Sequence, residues 1–155
     1  MSKENTAKTE TIQFGSHLTI DGYGGNFDAL NDRDTVMKVL DELPELLNMK
    51  KLQKPFLIAA APNDKKDPGG WTGVVTIAES HISVHTFPAR HFVSADVYTC
   101  TDTLDIQFIL AYFQKLFSLD DIESNHIIRG TRYPAQNLCE PKMPSGMKEG
   151  DLKSL

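Results

Sequence analysis

Reactive side chains are concentrated in one stretch of the chain, between residues 78 and 100. It contains the pair Glu79 and Ser80, a histidine at His85, and a cysteine at Cys100 that ends a run of alternating residues. A hydroxyl, an imidazole and a thiol are groups that attack carbonyl carbons or carry protons. Because they lie among apolar residues rather than in a polar loop, we predict a built site in which Ser80 does the chemistry after being modified itself.

The residues around these groups alternate between apolar and polar side chains, which is the pattern of a half-buried β-strand. Within two successive predicted strands, the β-branched and alanine side chains fall on one face and the polar side chains on the other. The polar face then carries His81, Ser83, His85, Ser94, Asp96, Tyr98 and Cys100. Such a face is costly to bury unless its groups pair with one another or have a function.

Three kinds of chemistry are compatible with this face. A zinc site could use His81, His85 and Cys100, since imidazole and thiolate are ligands that zinc prefers, but their spacing matches no recognised zinc motif. A serine or cysteine hydrolase needs a nucleophile presented beside a base, and the chain lacks a Gly-x-Ser-x-Gly turn. We therefore predict no metal, and the third interpretation starts from the Glu79–Ser80 peptide bond itself.

From Glu79 the chain reads Glu-Ser-His-Ile-Ser-Val-His-Thr-Phe-Pro, and later Asp-Val-Tyr-Thr-Cys. These segments closely resemble the short prokaryotic S-adenosylmethionine decarboxylases, which are self-processing pyruvoyl enzymes of polyamine biosynthesis. The specific part is the spacing: a serine, a histidine five residues later and a cysteine twenty residues after the serine, here Ser80, His85 and Cys100. The similarity extends more weakly from Gly15 to about Tyr133.

By that resemblance, the Ser80 hydroxyl attacks the carbonyl group of Glu79, and the chain is cut between residues 79 and 80 to leave a covalent pyruvoyl group. His85 corresponds to the family's processing histidine, and Thr72, eight residues before Ser80, stands where the family has a serine that assists cleavage. The pyruvoyl carbonyl forms a Schiff base with the substrate amine and acts as the electron sink for decarboxylation. Cys100 corresponds to the acid that returns a proton to the substrate. The new carboxylate of Glu79 is expected to contact the substrate.

Two positions depart from the family pattern, and both concern the nucleoside part of S-adenosylmethionine. Ala89 stands four residues after the key histidine, where the family usually has a glutamate that holds the ribose hydroxyls. Lys66 stands six residues before the assisting hydroxyl, where the family usually has a phenylalanine that stacks on the adenine. Each lost contact costs roughly 1–3 kcal/mol of binding free energy. Trp71 or Phe87 could supply a replacement ring.

These departures leave two substrate classes open: S-adenosylmethionine, which we place first, and a basic amino acid such as arginine or ornithine, on which the same pyruvoyl chemistry can act. Asp64, Asp67 or Asp96 could pair with a guanidinium or ammonium group, although a solvated turn is the ordinary role of the first two. The candidate substrate contacts are Glu79, Asp67, Trp71 and Asp96. A further alternative is an unprocessed homologue that binds or activates a partner without catalysis.

The rest of the chain predicts an α+β fold, an antiparallel β-sheet with two amphipathic helices on one face. Short connections favour a meander. The predicted strands cover 14–23, 56–61, 73–78, 82–87, 93–100 and 126–129.

Two helices are predicted from apolar residues at helical spacing. The first follows a cap at Asp32 or Asp34 and ends or kinks at Pro44. The second follows a cap at Asp102 or Thr103. Its apolar stripe contains Ile106, Ile109, Leu110, Phe113 and Phe117. A polar turn is expected over 118–125.

Two helices can cover only one face of such a sheet, so the other face needs a cover of its own. We predict a homodimer that stacks sheet to sheet and forms an αββα sandwich. Along the chain, residues 1–11 are predicted to be a flexible arm, 12–134 a single decarboxylase domain cut between 79 and 80, and 135–155 a polar tail.

Composition limits the partners and the compartment. The 155-residue chain has a net charge of −5, so bulk electrostatics predict neither a nucleic acid nor an acidic membrane as partner. Its longest apolar run, 56–61, is too short to span a bilayer, and the polar first residues lack a signal-peptide pattern. The predicted location is the cytoplasm, where a disulfide between Cys100 and Cys139 is disfavoured. The predicted ligand is a small molecule.

Overall fold

A six-stranded antiparallel sheet organises the part of the chain that the computed structural model describes, residues 9–63 and 65–147. The elements in chain order are β1 (Thr11–Ile12), β2 (Gly15–Tyr23), α1 (Phe27–Asn31), α2 (Arg33–Leu46), β3 (Phe56–Ala60), β4 (Gly70–Ile77), β5 (Ser80–Phe87), β6 (Phe92–Thr99), α3 (Ile106–Phe117), β7 (Asp121–Arg129) and β8 (Tyr133–Pro134). A 3₁₀ turn over Pro88–Arg90 joins β5 to β6. None of the described helices is long and apolar enough to cross a membrane.

The strands are arranged in the order β3-β4-β5-β6-β2-β7. From β3 to β6 each strand pairs antiparallel with the next one along the chain, which is the predicted meander. β2 then lies beside β6, and β7 lies beside β2 at the edge of the sheet. The short strands β1 and β8 pair separately. The predicted α+β class with an antiparallel sheet is confirmed.

One face of the sheet forms the hydrophobic core with the helices, as the alternation predicts. Ile82 and Val84 on β5 are completely buried, and so are Leu40 on α2 and both Phe113 and Phe117 on α3. Each of these side chains contributes about 1.5–3 kcal/mol by leaving water. The prediction that both amphipathic helices lie on one face of the sheet is confirmed.

The opposite face of the sheet, called here the open face, is not covered by any described helix. It carries the polar set His81, Ser83, His85, Ser94, Asp96, Tyr98 and Cys100, all partly exposed. It also carries Phe56 and Ile58 on β3, which are 56% and 52% exposed. Apolar and titratable side chains are therefore mixed on a surface that a single chain leaves open to water.

Two helix boundaries differ from the prediction. α2 continues through Pro44 to Leu46, because a proline this close to a helix end removes only one late hydrogen bond. α3 is capped by Asp105, which accepts a 3.0 Å hydrogen bond from Phe108 N, and not by Asp102 or Thr103. The cap of α2 is Asp32, as predicted, at 2.7 Å from Thr35 N.

Two other elements were missed or assigned wrongly. The expected polar turn over 118–125 is confirmed only for 118–120 and is wrong beyond it, because Asp121–Arg129 forms one continuous strand paired with all nine residues of β2. An edge strand needs no apolar alternation of its own when its neighbour supplies the backbone hydrogen bonds. The short helix Phe27–Asn31, capped by Asn26, was not predicted.

Tyr112 on α3 offers a test of the helix layer. Its hydroxyl is buried without a hydrogen-bond partner among the described residues, and burial, with a smaller effect of Glu42, raises the pKa of Tyr112 to about 12. This pKa is higher in the folded protein than in the unfolded chain. The corresponding contribution to stability is therefore complete at a pH below the pKa of the unfolded chain, and it is lost as the pH rises through the pKa of the folded protein.

We expect Tyr112→Phe to raise the free energy of unfolding by about 1 kcal/mol, because the unpaired hydroxyl is removed. The variant should also lose part of the decline in stability above pH 10. Urea unfolding at pH 8 and above pH 10 measures both effects, with the half-exposed Tyr133→Phe as control. An unchanged alkaline decline in Tyr112→Phe would contradict the assignment.

Candidate active site

Ser80 is the first residue of β5, directly after the turn that joins β4 to β5. Its neighbours across the sheet are Ile77 on β4 and Thr99 on β6. Its φ is 145°, whereas the other described non-glycine residues with positive φ, Asn48, His91 and Ser118, have φ of 51–55°. A side chain in such a conformation costs about 1–3 kcal/mol. Strain is therefore stored at the residue for which the sequence predicts a covalent change.

Cys100 lies beside this position because it follows Thr99, the cross-strand partner of Ser80. The thiol is not in a disulfide, and the residue is only partly exposed. Glu79, which precedes Ser80 in the turn, is exposed. One end of the β5–β6 pair thus carries a hydroxyl, a thiol and a carboxylate on adjacent residues.

Thr72 and His85 form a second reactive pair at the other end of β5. They are direct cross-strand partners, and Nδ1 of His85 lies 3.2 Å from Oγ1 of Thr72. Five residues of β-strand separate His85 from Ser80, a distance of about 16 Å. The structure therefore joins Thr72 to His85 and places Cys100 beside Ser80, but one chain does not bring the two pairs together.

Asp96, a predicted substrate contact, is hydrogen-bonded within the open face. Its Oδ1 accepts a 2.8 Å hydrogen bond from Nε2 of His17, and its Oδ2 accepts a 3.1 Å bond from Oγ of Ser83. On the far side of the imidazole, Nη1 of Arg129 donates to Nδ1 of His17 at 3.1 Å. Both carboxylate oxygens of Asp96 therefore have partners in the chain.

Sequence reasoning missed the roles of His17 and Arg129. They lie 112 residues apart, and only the pairing of β2 with β6 and β7 brings them to Asp96. Period-two alternation was a usable signal for His17, because it places this residue on the same face of β2 as Thr19 and Asp21.

The other predicted substrate contacts lie near the Thr72 end. Oδ1 of Asp67 accepts a 2.8 Å hydrogen bond from Gly69 N, and Nε1 of Trp71 donates at 2.7 Å to the carbonyl oxygen of Asn31. Asp64 lies outside the described residues. A cavity of about 320 Å³ opens here, lined by Phe27, Asn31, Ala59, Ala60, Pro62, Pro68, Gly69, Gly70, Trp71, Pro88 and Ala89. None of the described lining residues carries a charged side chain.

The alternative zinc site is not assembled in this structure. It needs His81, His85 and Cys100 together, but Cys100 lies at the Ser80 end of β5 and His85 at the other. Among residues 9–63 and 65–147, no three histidine, cysteine or acidic side chains are close enough to hold a metal ion.

The structure is that of a small α+β protein with a strained serine at a strand end. Comparison with known proteins gives the family. A family model described as S-adenosylmethionine decarboxylase matches residues 16–130. This chain belongs to that family. The resemblance predicted from the residues around Ser80 is thereby confirmed, and so is the decarboxylase class.

Individual relatives agree with the family model. The chain is 34% identical over 116 residues to the S-adenosylmethionine decarboxylase proenzyme of Clostridium botulinum strain Langeland, covering 75% of this chain and 94% of that protein. It is 32% identical over 121 residues to the proenzyme of Brevibacillus brevis, covering 78% and 86%. The crystal structure of the adenosylmethionine decarboxylase from Aquifex aeolicus VF5 superposes with a TM-score of 0.64 and 25% identity, covering 84% of this chain and 99% of that one.

The strain at Ser80 can be measured by comparing two variants that both lack the hydroxyl. Glycine adopts a φ of 145° without a Cβ clash. We therefore expect Ser80→Gly to exceed Ser80→Ala in free energy of unfolding by about 1 kcal/mol. Denaturant unfolding of the two purified variants gives the difference.

The matched control is Ser83, which lies inside β5 and is not among the residues with positive φ. There the order should reverse, with Ser83→Gly less stable than Ser83→Ala by about 0.5–1 kcal/mol. The same order at both positions would show that Ser80 is not strained.

Proposed function

We propose that this chain is a self-processing, pyruvoyl-dependent decarboxylase and that S-adenosylmethionine is its substrate. The observation that carries the proposal is the arrangement of two reactive pairs, Ser80 with Cys100 and Thr72 with His85, on one sheet of a family member. The relatives support it, since their names call them proenzymes, which are precursors that become active after a covalent change.

Processing begins at the strained residue. Oγ of Ser80 bonds to the carbonyl carbon of Glu79 while the peptide C–N bond breaks, so the amide becomes an ester and residue 80 gains a free amine. Removal of the Ser80 Cα proton then breaks the Cβ–O bond and releases Glu79 as a carboxylate. After tautomerisation, water replaces the nitrogen, ammonia leaves, and a ketone remains. The sequence consumes one water and needs no oxidant.

The groups that assist this step, Thr72 and His85, lie about 16 Å from Ser80 in the same chain. A homodimer removes the separation when two open faces stack with their strands reversed, because Thr72 and His85 of the partner subunit then reach Ser80. The same contact covers Phe56 and Ile58, which are more than half exposed in the single chain. The αββα sandwich is thus proposed on grounds of chemistry as well as of exposed area.

In turnover, the pyruvoyl group supplies the electron sink that accepts the charge left when carbon dioxide departs. Cys100 holds the proton that the substrate carbon receives, and its place beside residue 80 supports this role. The carboxylate released at Glu79 would contact the substrate, whose amine is an ammonium group until it forms the Schiff base. The thiol must stay reduced, which fits the cytoplasm as the proposed location.

The cavity beside Ala89 supports S-adenosylmethionine as substrate. Its lining residue Trp71 directly precedes Thr72 in the chain, and its lining residue Ala89 follows His85 by four residues. The lining is largely apolar, and a hydrogen bond to Asn31 fixes the ring of Trp71. A guanidinium group would need a carboxylate there. Asp96 is already bonded on both oxygens, and Asp67 holds the loop backbone.

A second candidate is an arginine or ornithine decarboxylase that uses the same chemistry. It is favoured by Ala89 and Lys66, which replace the two nucleoside contacts that the family resemblance implies. Loss of these contacts weakens the binding of a nucleoside but leaves the bond-breaking groups in place.

Processing and the shared site are tested together by intact mass. We expect the wild type to separate into Met1–Glu79 and a pyruvoyl-blocked 80–155 fragment. Ser80→Ala should stay uncut because it lacks the nucleophile. Cys100→Ala should be cut but release carbon dioxide at least about 100-fold more slowly, because it lacks the proton donor.

Mixing variants separates a site within one chain from a site shared by two. His85→Ala alone should stay uncut, and coexpression with Ser80→Ala should restore cutting of the His85→Ala chain, since its Ser80 meets an intact histidine. A single uncut chain in the wild type would instead favour the unprocessed homologue. Failure to restore cutting would contradict a site in which His85 of one chain assists Ser80 of the other.

The substrate is tested by carbon dioxide release from S-adenosylmethionine, arginine, ornithine and lysine side by side. We expect turnover of S-adenosylmethionine, and Ala89→Glu should lower its KM about tenfold by restoring hydroxyl contacts. Ala89→Leu, which adds bulk without acceptors, is the control. Turnover of arginine or ornithine alone would establish the second candidate.

A further inference from the structure

Residues 50–52, which follow α2 in the chain, lie against the end of β4 and the turn that joins β4 to β5. Lys51 forms an isolated antiparallel β-bridge with Ile77, the last residue of β4. The carbonyl oxygen of Lys50 accepts a 2.9 Å hydrogen bond from Ala78 N, the first amide of the turn. This segment, called here the tether, therefore holds the turn that carries the Glu79–Ser80 bond.

The side chain of Lys51 fastens the tether to α2. Nζ donates hydrogen bonds to the backbone carbonyl oxygen of Asp41 at 2.9 Å, to Oδ1 of Asp41 at 2.6 Å and to Oε1 of Glu45 at 2.8 Å. An ammonium group has three protons, and each of them has an acceptor here. Asp41 and Glu45 lie one helical turn apart, where two like charges repel each other unless a cation lies between them. The pKa of Lys51 is raised, first by its bond to Asp41 and then by its bond to Glu45.

α2 connects the tether to the hydrophobic core. Val39, Leu40 and Leu43 of this helix are fully buried in the core cluster, so a displacement of the helix would expose apolar area to water. Isolated ion pairs on a surface contribute little. Here, however, two carboxylates and a carbonyl oxygen converge on one ammonium group, and the lysine side chain is only 21% exposed.

The tether and Ser80 lie in one row across the sheet. Ile77 pairs with Lys51 on one side and with Ser80 on the other. Beyond Ser80 the row continues to Thr99 on β6, which is buried. A strained residue keeps its conformation only where the surrounding structure over-determines it. Ser80, with its φ of 145°, lies between two such supports, Thr99 and the tethered Ile77.

We propose that Lys51 is a positioning residue for self-cleavage, because its bonds to α2 hold the tether and thereby keep Ser80 in the strained conformation. For the cleavage itself the inference rests on the proposed function, whereas the strain at Ser80 is measurable without it. In the cleavage step Oγ of Ser80 bonds to the carbonyl carbon of Glu79, the C–N bond breaks, and the hydroxyl proton passes to the released amine. Since φ of Ser80 is defined across that C–N bond, breaking it releases the strain, and strain present only in the peptide lowers the barrier.

A role in holding Ser80 differs measurably from a role in stabilising α2 alone. If Lys51 only stabilised the helix, Lys51→Met would destabilise Ser80→Ala and Ser80→Gly by the same amount. If Lys51 holds the turn, its loss lets residue 80 relax, and the penalty for a Cβ at this position falls. The difference between the two Ser80 variants therefore reports the strain and not the general stability.

The first experiment measures this difference in chains that cannot cut themselves. Urea unfolding should show that Lys51→Met reduces the advantage of Ser80→Gly over Ser80→Ala at least about twofold. Lys50→Met is the matched control, because the Lys50 side chain is exposed and its hydrogen bond to the turn is made by the backbone carbonyl oxygen. This control should leave the difference unchanged.

The second experiment measures cutting with Ser80 intact. After cell-free synthesis, a time course of intact mass should show the 80–155 fragment forming about tenfold more slowly in Lys51→Met, and at the wild-type rate in Lys50→Met. Asp41→Asn combined with Glu45→Gln should slow cutting by a similar factor. Lys51→Met added to that pair should slow it little further, because residues that act as one unit are not additive.

If Lys51→Met does not fold by circular dichroism, the Asp41→Asn, Glu45→Gln pair takes its place in both experiments. The proposal is overturned if the difference between Ser80→Gly and Ser80→Ala is the same with and without Lys51→Met, if Lys50→Met has an equal effect, or if Lys51→Met is cut at the wild-type rate. A smaller difference in Lys51→Met, together with an uncut wild type, would support the hold on Ser80 and reject the proposed function.

Discussion

The register of β5 against its two neighbours is the constraint on which the site depends. Ser80 pairs with Thr99 at one end of the strand, and His85 pairs with Thr72 at the other. The apolar side chains on the opposite face fix this register, since a slip by one residue would move Ile82 and Val84 from the core to the open face. Each of these two side chains is fully buried, and exposing them would cost about 1.5–3 kcal/mol apiece. The hydrophobic core therefore determines where the reactive groups lie.

A rigid strand also explains why the proposed site needs two copies of the chain. In a helix or a loop, five residues can bring two side chains together, but in a strand they separate Ser80 from His85 by about 16 Å. In the proposed dimer, rotation of a second copy would convert this separation into two equivalent sites, each built from the Ser80 end of one sheet and the Thr72 end of the other. Under this proposal activity and assembly are linked by mass action, because a group contributed by the partner acts only while the dimer persists.

Local patterns predicted the elements that bury an apolar face, and they failed where pairing alone decides the structure. The stripe of α3 and the alternation in β5 and β6 are visible in sequence because Phe113, Ile82 and their equivalents must leave water. β7 has no such pattern, since it is an edge strand whose form is imposed by β2. The spacing around Ser80 gives a prediction of the reactive residues, but the contact of Arg129 with His17 joins positions 112 residues apart and leaves no local signal.

The predicted reactive groups and the two positions that depart from the family's nucleoside contacts occupy different parts of the fold. Thr72, Ser80 and His85 lie in paired strands, where a shift of about 1 Å already lowers catalytic rates strongly. Ala89 lies in the 3₁₀ turn after β5, and Lys66 lies in the loop before β4, so changes there leave the sheet register intact. Each lost nucleoside contact alters binding by roughly 1–3 kcal/mol and leaves the bond-breaking step unchanged. Under the proposed function, the sheet therefore determines which bonds break, whereas the loop and the turn determine which amine is bound.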